Sequence, residues 1–156
     1  MAQTQDSIAP PAALRLGAGL ILTSLLLVAA VRLDIVPPTA TAAERRAEAK
    51  VAPVSERMLR FADSPDGSVI VTDARTGETV ARIGREGSGF IRGVLRGLAR
   101  ERGQHGIGSG PPFRLTLWQN RALSLVDTAT GRVVELDGFG QTNRGAFERL
   151  LRSNGA

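Results

Sequence analysis

The sequence predicts an α+β protein: an apolar N-terminal helix that spans a membrane, then a domain of two βββα repeats forming an antiparallel sheet or half-open barrel. Three observations carry this reading. Residues 16–31, LGAGLILTSLLLVAAV, contain no charge. Asp73-Ala-Arg-Thr-Gly77 recurs fifty-four positions later as Asp127-Thr-Ala-Thr-Gly131. Each copy precedes a stretch with apolar residues at helical spacing, GFIRGVLRGLARER in the first and NRGAFERLLR in the second. The 156 residues thus divide into a tail (1–11), a membrane helix (12–33), a linker (34–53) and an α+β domain (54–153), whose repeats cover about 56–102 and 110–152.

The uncharged run alone would be about 24 Å long as a helix, short of the ~30 Å hydrocarbon core. Extending it to residues 12–33 gives about 33 Å, with Arg15 and Arg32 at the ends placed to snorkel to the headgroups. A cleaved signal peptide is the competing reading, since Ala40-Thr41-Ala42 has the small-x-small pattern of a cleavage site. Arg32, Asp34, Pro37 and Pro38 make the intervening segment long and charged, which favours an uncleaved anchor. Charge leaves the orientation undecided: Arg32, Arg45, Arg46 and Lys50 follow the helix, yet long domains translocate regardless of such counts. Pro37-Pro38 stops the helix, and AAERRAEAK, rich in helix formers but lacking an apolar stripe, reads as a solvated spacer or a fraying helix.

In the first repeat, Glu56–Ala62, Ser68–Asp73 and Glu78–Ile83 alternate as strands around the Ser64-Pro65-Asp66-Gly67 and Asp73–Gly77 turns. The second offers Phe113–Trp118, Ala122–Asp127 and Arg132–Leu136. The common offset also aligns Leu59 with Phe113, Phe61 with Leu115, Val69 with Leu123, Val71 with Leu125, Val80 with Val134 and Gly84 with Gly138. Helices are expected at Gly89–Arg102 and Asn143–Arg152, the second capped by Thr142 or Asn143 and buried through Phe147, Leu150 and Leu151.

Composition narrows the chemistry. With no cysteine, no tyrosine, one histidine (His105) and one lysine (Lys50), the chain lacks the residues for thiol catalysis, iron–sulfur clusters or a multi-imidazole metal centre. No catalytic site, metal site or cofactor is expected. The net charge of +5 and pI near 11.3 raise nucleic acid as a partner. Arginine's excess over lysine is a bias that a GC-rich genome produces, and no strand interleaves aromatic with basic residues, so nucleic acid is set aside.

The first amphipathic stretch holds the main candidates. Phe90, Val94 and Leu98 share an apolar face; Arg92, Arg96 and Arg100 recur every fourth residue, as do Gly89, Gly93 and Gly97. A mid-helix glycine costs about 1 kcal/mol relative to alanine, which calls for compensation by close backbone approach. Two readings stand: the glycines pack on the domain's own sheet, or another protein's helix lies there. The arginine stripe is either a solvated face or a dock for acidic segments or anionic headgroups. His105, in a glycine-rich connection, reads as solvated. The Gly84–Gly89 and Gly106–Gly110 runs match no phosphate-binding fingerprint. Asp73 and Asp127 close their turns by side chain to backbone bonds, and Trp118 reads as core or hairpin packing.

GFIRGVLRGLARER, PFRLTLW, Asp-x-x-Thr-Gly-Arg at 127–132 and Phe139-Gly-x-Thr-Asn143 leading into Ala-Phe and Leu-Leu closely resemble the PuhC-type photosynthetic complex assembly proteins of purple and related bacteria. The resemblance spans about 54–152, and the N-terminal helix agrees in position; Gln141 stands where proline is expected. It implies a single-span protein of the inner (intracytoplasmic) membrane with a periplasmic C-terminal domain. It further implies an assembly factor, not an enzyme, for the photosynthetic reaction centre and its core light-harvesting antenna, whose partners are subunits of those complexes and other assembly factors. The family supplies no catalytic residues. Partner-binding candidates inferred from this sequence are Gly89, Phe90, Arg92, Gly93, Arg96, Gly97 and Arg100 on the helix, and Phe139, Thr142 and Asn143 on the loop. The alternative is a periplasmic lipid- or pigment-binding domain that delivers a component during assembly.

Overall fold

The computed structural model describes residues 10–33, 35 and 39–152; the expected tail up to residue 9, Asp34, Pro37-Pro38 and residue 153 lie outside them. The chain divides into two units, the second beginning at Ala42. In the first, α1 runs Pro11–Arg32 with proline in its first turn, where the missing N–H costs nothing. It is long and apolar enough to cross a membrane. Its two hydroxyls are satisfied internally, Thr23 Oγ1 donating to Gly19 O and Ser24 Oγ to Leu20 O, both at 2.9 Å.

The second unit contains α2 (Ala42–Glu48), β1 (Pro53–Asp63), β2 (Val69–Asp73), β3 (Thr79–Ile83), α3 (Gly89–Gln104), β4 (Phe113–Trp118), β5 (Leu123–Asp127), β6 (Val133–Glu135), a 3₁₀ turn (Leu136–Phe139) and α4 (Gln141–Arg152). The strands form one antiparallel sheet in the order β3-β2-β1-β4-β5-β6, so it is an open sheet with β3 and β6 at its edges rather than a barrel. In the central pair Leu59 faces Phe113. On either side Leu59 faces Asp73 and Phe113 faces Asp127, while Phe61 faces Val71 and Leu115 faces Leu125. The two turns are built alike. Asp73 Oδ1 accepts the Arg75 N–H and Asp127 Oδ1 that of Ala129, and Gly77 and Gly131 close them at φ +77° and +75°. That left-handed backbone is why glycine ends both motifs.

Alternate residues of each strand face one core. Leu59, Val69, Val71, Leu115, Leu123 and Leu125 meet Ile91 and Leu98 of α3 and Phe147 and Leu150 of α4, all essentially buried. Each such side chain contributes about 1.5–3 kcal/mol through burial. All five phenylalanines join in a column of ring contacts: Phe113 to Phe61 (5.8 Å between centroids), Phe61 to Phe147 (6.4 Å), Phe147 to Phe90 (5.9 Å) and Phe90 to Phe139 (5.1 Å). On the other face of β4 and β5, Thr116 and Ser124 are buried, and Trp118 Nε1 donates to Ser124 Oγ at 2.9 Å.

Three expectations are corrected. Residues 42–48, read as a solvated spacer or fraying helix, are helical as α2 but not wholly solvated, since Arg46 buries itself against Trp118 and pairs with Glu135. Neither Thr142 nor Asn143 caps α4, which starts at Gln141. Gly140, at φ +83°, ends the 3₁₀ turn and its carbonyl accepts the Arg144 N–H, placing both residues inside the first turn. Gln141 thus occupies the first helical position, the one proline favours. The last strand is also shorter than expected, since Leu136 turns inward to start the 3₁₀ turn instead of extending β6.

One charge pair lies inside the core. Arg102, near the end of α3, donates from Nε and Nη2 to the two oxygens of Asp127 at 2.7 Å each, and its guanidinium carbon sits 4.2 Å from the centre of the Phe113 ring. Both residues are buried. Burial raises the Asp127 carboxyl, but the Arg102 bond and the Ala129 N–H outweigh it and hold the group below its ordinary value. The stabilisation is therefore complete above about pH 4 and is lost as pH falls toward the depressed folded value. Arg102→Met strands a buried carboxylate and is expected to cost about 3–5 kcal/mol in urea unfolding of the full chain in detergent. Arg102→Met combined with Asp127→Asn should cost less than the single change, a non-additivity that a double-mutant cycle reads directly.

Candidate docking face of the α3 helix

The α3 helix has a buried side and an open side. Ile91, Leu98 and Arg102 point inward, Phe90, Val94 and Leu95 are half-buried, and Gly93, Arg96, Gly97 and Arg100 are exposed. Its start is fixed by Ser88, whose carbonyl accepts the Arg92 N–H at 2.8 Å and whose hydroxyl donates to Arg85 O. The Arg92 side chain bends back to the sheet: it pairs with Asp63 at 2.9 Å, donates to Gly67 O at 2.8 Å and to Ser88 Oγ at 3.1 Å. The arginine stripe therefore splits. Arg92 is a joint of the fold, whereas Arg96 and Arg100 have no ion-pair partner among the described residues.

Along the open side runs an apolar groove of about 590 Å³, lined by Gly89, Phe90, Gly93, Val94, Gly97, Leu98, Val134 and Phe139, with Glu101 and Arg132 at its polar end. Phe139 is 46 % exposed and lies against Phe90, so the two rings give the groove a continuous apolar edge. A Cβ built on Gly89, Gly93 or Gly97 would meet nothing within 4 Å. The reading in which these glycines pack on the domain's own sheet is thereby removed.

The loop bearing Phe139 is held by one arginine. Arg144 Nε donates to Asp137 Oδ1 and Nη2 to Arg121 O, both at 2.7 Å, and Nη1 contacts Glu148; Asp137 Oδ2 meanwhile accepts the Leu123 N–H at 2.9 Å. Burial raises the Glu148 carboxyl, yet Arg152 and Arg144 together lower it below its ordinary range. Asn143 Nδ2 donates to Phe139 O at 2.9 Å, while Thr142 stays exposed. Of the residues singled out from sequence, Gly89, Phe90, Gly93, Gly97 and Phe139 meet in the groove, Arg96 and Arg100 lie outside its glycine wall, and Asn143 braces the loop. His105 is exposed at the end of α3, and among the described residues no group of histidine, aspartate and glutamate is placed to hold a metal. Arg15 and Arg32 lie within and at the end of α1.

Sequence reasoning missed the joints. Arg102 carried a signal, since it falls four residues after Leu98 on the inward face. Arg46 pairs with Glu135, eighty-nine positions away, and nothing local announces that partner.

With no steric use for glycine inside the domain, Gly93→Ala and Gly97→Ala should each stabilise the protein by about 0.5–1 kcal/mol in chemical unfolding. A loss of stability would show that the fold itself needs these glycines.

A family model described as photosynthetic complex reorganisation protein PuhC matches residues 54–154, and the chain belongs to that family. It is also 36 % identical over 63 residues to an uncharacterized 17.4 kDa protein in the puhA 5′ region of Rhodobacter capsulatus. That match covers 40 % of this chain and 39 % of the relative, so the chain spans about two fifths of the relative's length. No solved structure matches it.

Proposed function

We propose that this member of a family of photosynthetic complex reorganisation proteins is a membrane-anchored assembly factor for the reaction centre and core light-harvesting antenna, acting by protein contacts on the open face of α3. The observation that carries the proposal is the glycine wall beside an exposed Phe139: the helix bears the cost of its glycines, and the domain's own packing makes no use of them. A partner helix laid into the groove would approach the α3 backbone closely, with Phe139 and Val134 on one flank and the uncommitted Arg96 and Arg100 on the other. In this reading α1 spans the inner membrane between Arg15 and Arg32, and the α+β unit lies in the periplasm. We read that unit as a duplicated βββα element, a view supported by the matched registers and turns of its two halves.

A second reading, delivery of a lipid or pigment, is favoured by the apolar lining of the same groove. Stoichiometric lipid or pigment extracted from protein purified out of photosynthetic membranes would support it.

Deleting the gene should lower the amount of assembled core complex while pigment synthesis continues; normal core-complex levels would overturn the proposal. Complementation with Gly93→Leu should restore a folded protein at normal abundance yet recover several-fold less core complex than the wild type. A C-terminal alkaline phosphatase fusion should be active, and inactivity would place the domain on the cytoplasmic side instead.

A further inference from the structure

A second cleft lies along the other flank of α3, between that helix, β1 and the glycine-rich connection to β4, and it shares no lining residue with the glycine groove. It has two lobes, of about 370 and 230 Å³, with Phe61, Leu95, Ala99 and Ser109 common to both. Ile107 and Phe113 close the inner lobe, and the Phe61 and Phe113 rings meet edge to face at 5.8 Å in its wall. Arg102 also borders this lobe, but Asp127 takes two of its donors and its guanidinium lies over the Phe113 ring. The inner lobe therefore presents mainly hydrocarbon. The outer lobe is bordered by Asp63, Arg92 and Arg96. Asp63 and Arg92 neutralise each other at 2.9 Å, and Arg92 commits further donors to Gly67 O and Ser88 Oγ. Arg96 is exposed and has no ion-pair partner among the described residues, so the outer end carries one uncompensated positive charge.

We propose that this cleft binds one long-chain fatty acid, its carboxylate on Arg96 and its chain passing Leu95 and Ala99 into the inner lobe between Phe61, Ile107 and Phe113. An apolar lobe with a single cation at one end matches a single anionic head on a hydrocarbon tail. A peptide entering the inner lobe would bury amide groups there, beside an arginine already committed to Asp127, whereas a methylene chain needs no partner. A diacyl lipid would leave its second chain without a lobe. The larger lobe alone falls within the roughly 300–1,000 Å³ of ordinary small-molecule sites. The cleft is separate from the glycine groove, so the site stands whichever occupant that groove takes.

The probe is palmitate carrying a diazirine near its methyl end, added to the full chain in nanodiscs of zwitterionic lipid. Illumination should label residues 103–114, the peptide that trypsin releases by cutting after Arg102 and Arg114. Label on α1 measures probe dissolved in the lipid and serves as the internal control. Arg96→Gln should lower labelling of 103–114 about tenfold, through loss of one charge-assisted contact, with label on α1 unchanged. Ile107→Trp fills the inner lobe and should abolish labelling of 103–114 in a protein that still unfolds cooperatively. Excess unlabelled palmitate should displace the probe, and uncharged hexadecanol should not. Label confined to α1, or unchanged labelling of 103–114 in either folded variant, would overturn the proposal. So would displacement by purified core complex but not by palmitate, which would make the cleft a protein-docking face. Should the variants fail to fold, competition on the wild type decides: equal displacement by palmitate and hexadecanol would overturn the proposal.

Discussion

The orientation of α3 depends on the buried pair between Arg102 and Asp127. Asp127 receives the Ala129 N–H that closes its turn and the two donors of Arg102, so the turn after β5 and the last part of α3 are fastened at one carboxylate. Near the other end of the helix Arg92 is tied to Asp63 and to the Gly67 carbonyl. A helix pinned at two points this way has its roll about the axis fixed. Rolling it to hide the glycines would pull an arginine out of the core and leave a buried carboxylate unpaired, which costs more than the modest gain from covering an apolar groove. The exposure of the glycine wall is therefore a consequence of charge pairing inside the domain.

Much of the sheet was legible because alternation and turn chemistry are local properties. Phe113–Trp118 emerged with the expected limits, and both Asp-to-Gly turns close as their residues require. The end of β6 was not, since Leu136 has the apolar character of a strand residue and only Asp137, bonding back to Leu123, makes it turn. Helix geometry explains the split arginine stripe. Residues four apart advance about 40° beyond a full turn. A run that looks uniform every fourth position thus spirals from the sheet side at Arg92 to the open side at Arg100. Arg46 and Glu135 were not legible at all, as each looks like an ordinary surface residue until the chain brings them together.

The dominance of arginine over lysine takes on a structural meaning in the fold. Arg46, Arg92, Arg102 and Arg144 each reach two or more acceptors at once, and two of them also lie over an aromatic ring. A guanidinium makes such multi-point joints with little loss of side-chain freedom per bond. In a domain with only about a hundred residues and a modest core, these joints fix the helices and loops that apolar packing leaves under-determined. Lysine in their place would retain charge and lose the geometry.

The column of phenylalanine rings gives the exposed Phe139 a character its surface position conceals. Its ring is the outermost member of a stack that continues through Phe90, Phe147 and Phe61 to Phe113 beneath the Arg102 guanidinium. A loop aromatic in water ordinarily samples several rotamers and forfeits that freedom when something settles against it. Here the ring already rests on Phe90, 5.1 Å between centroids, and that contact reduces the freedom left to lose. Whatever meets Phe139 meets a preorganised contact, and the entropic cost of association is correspondingly smaller.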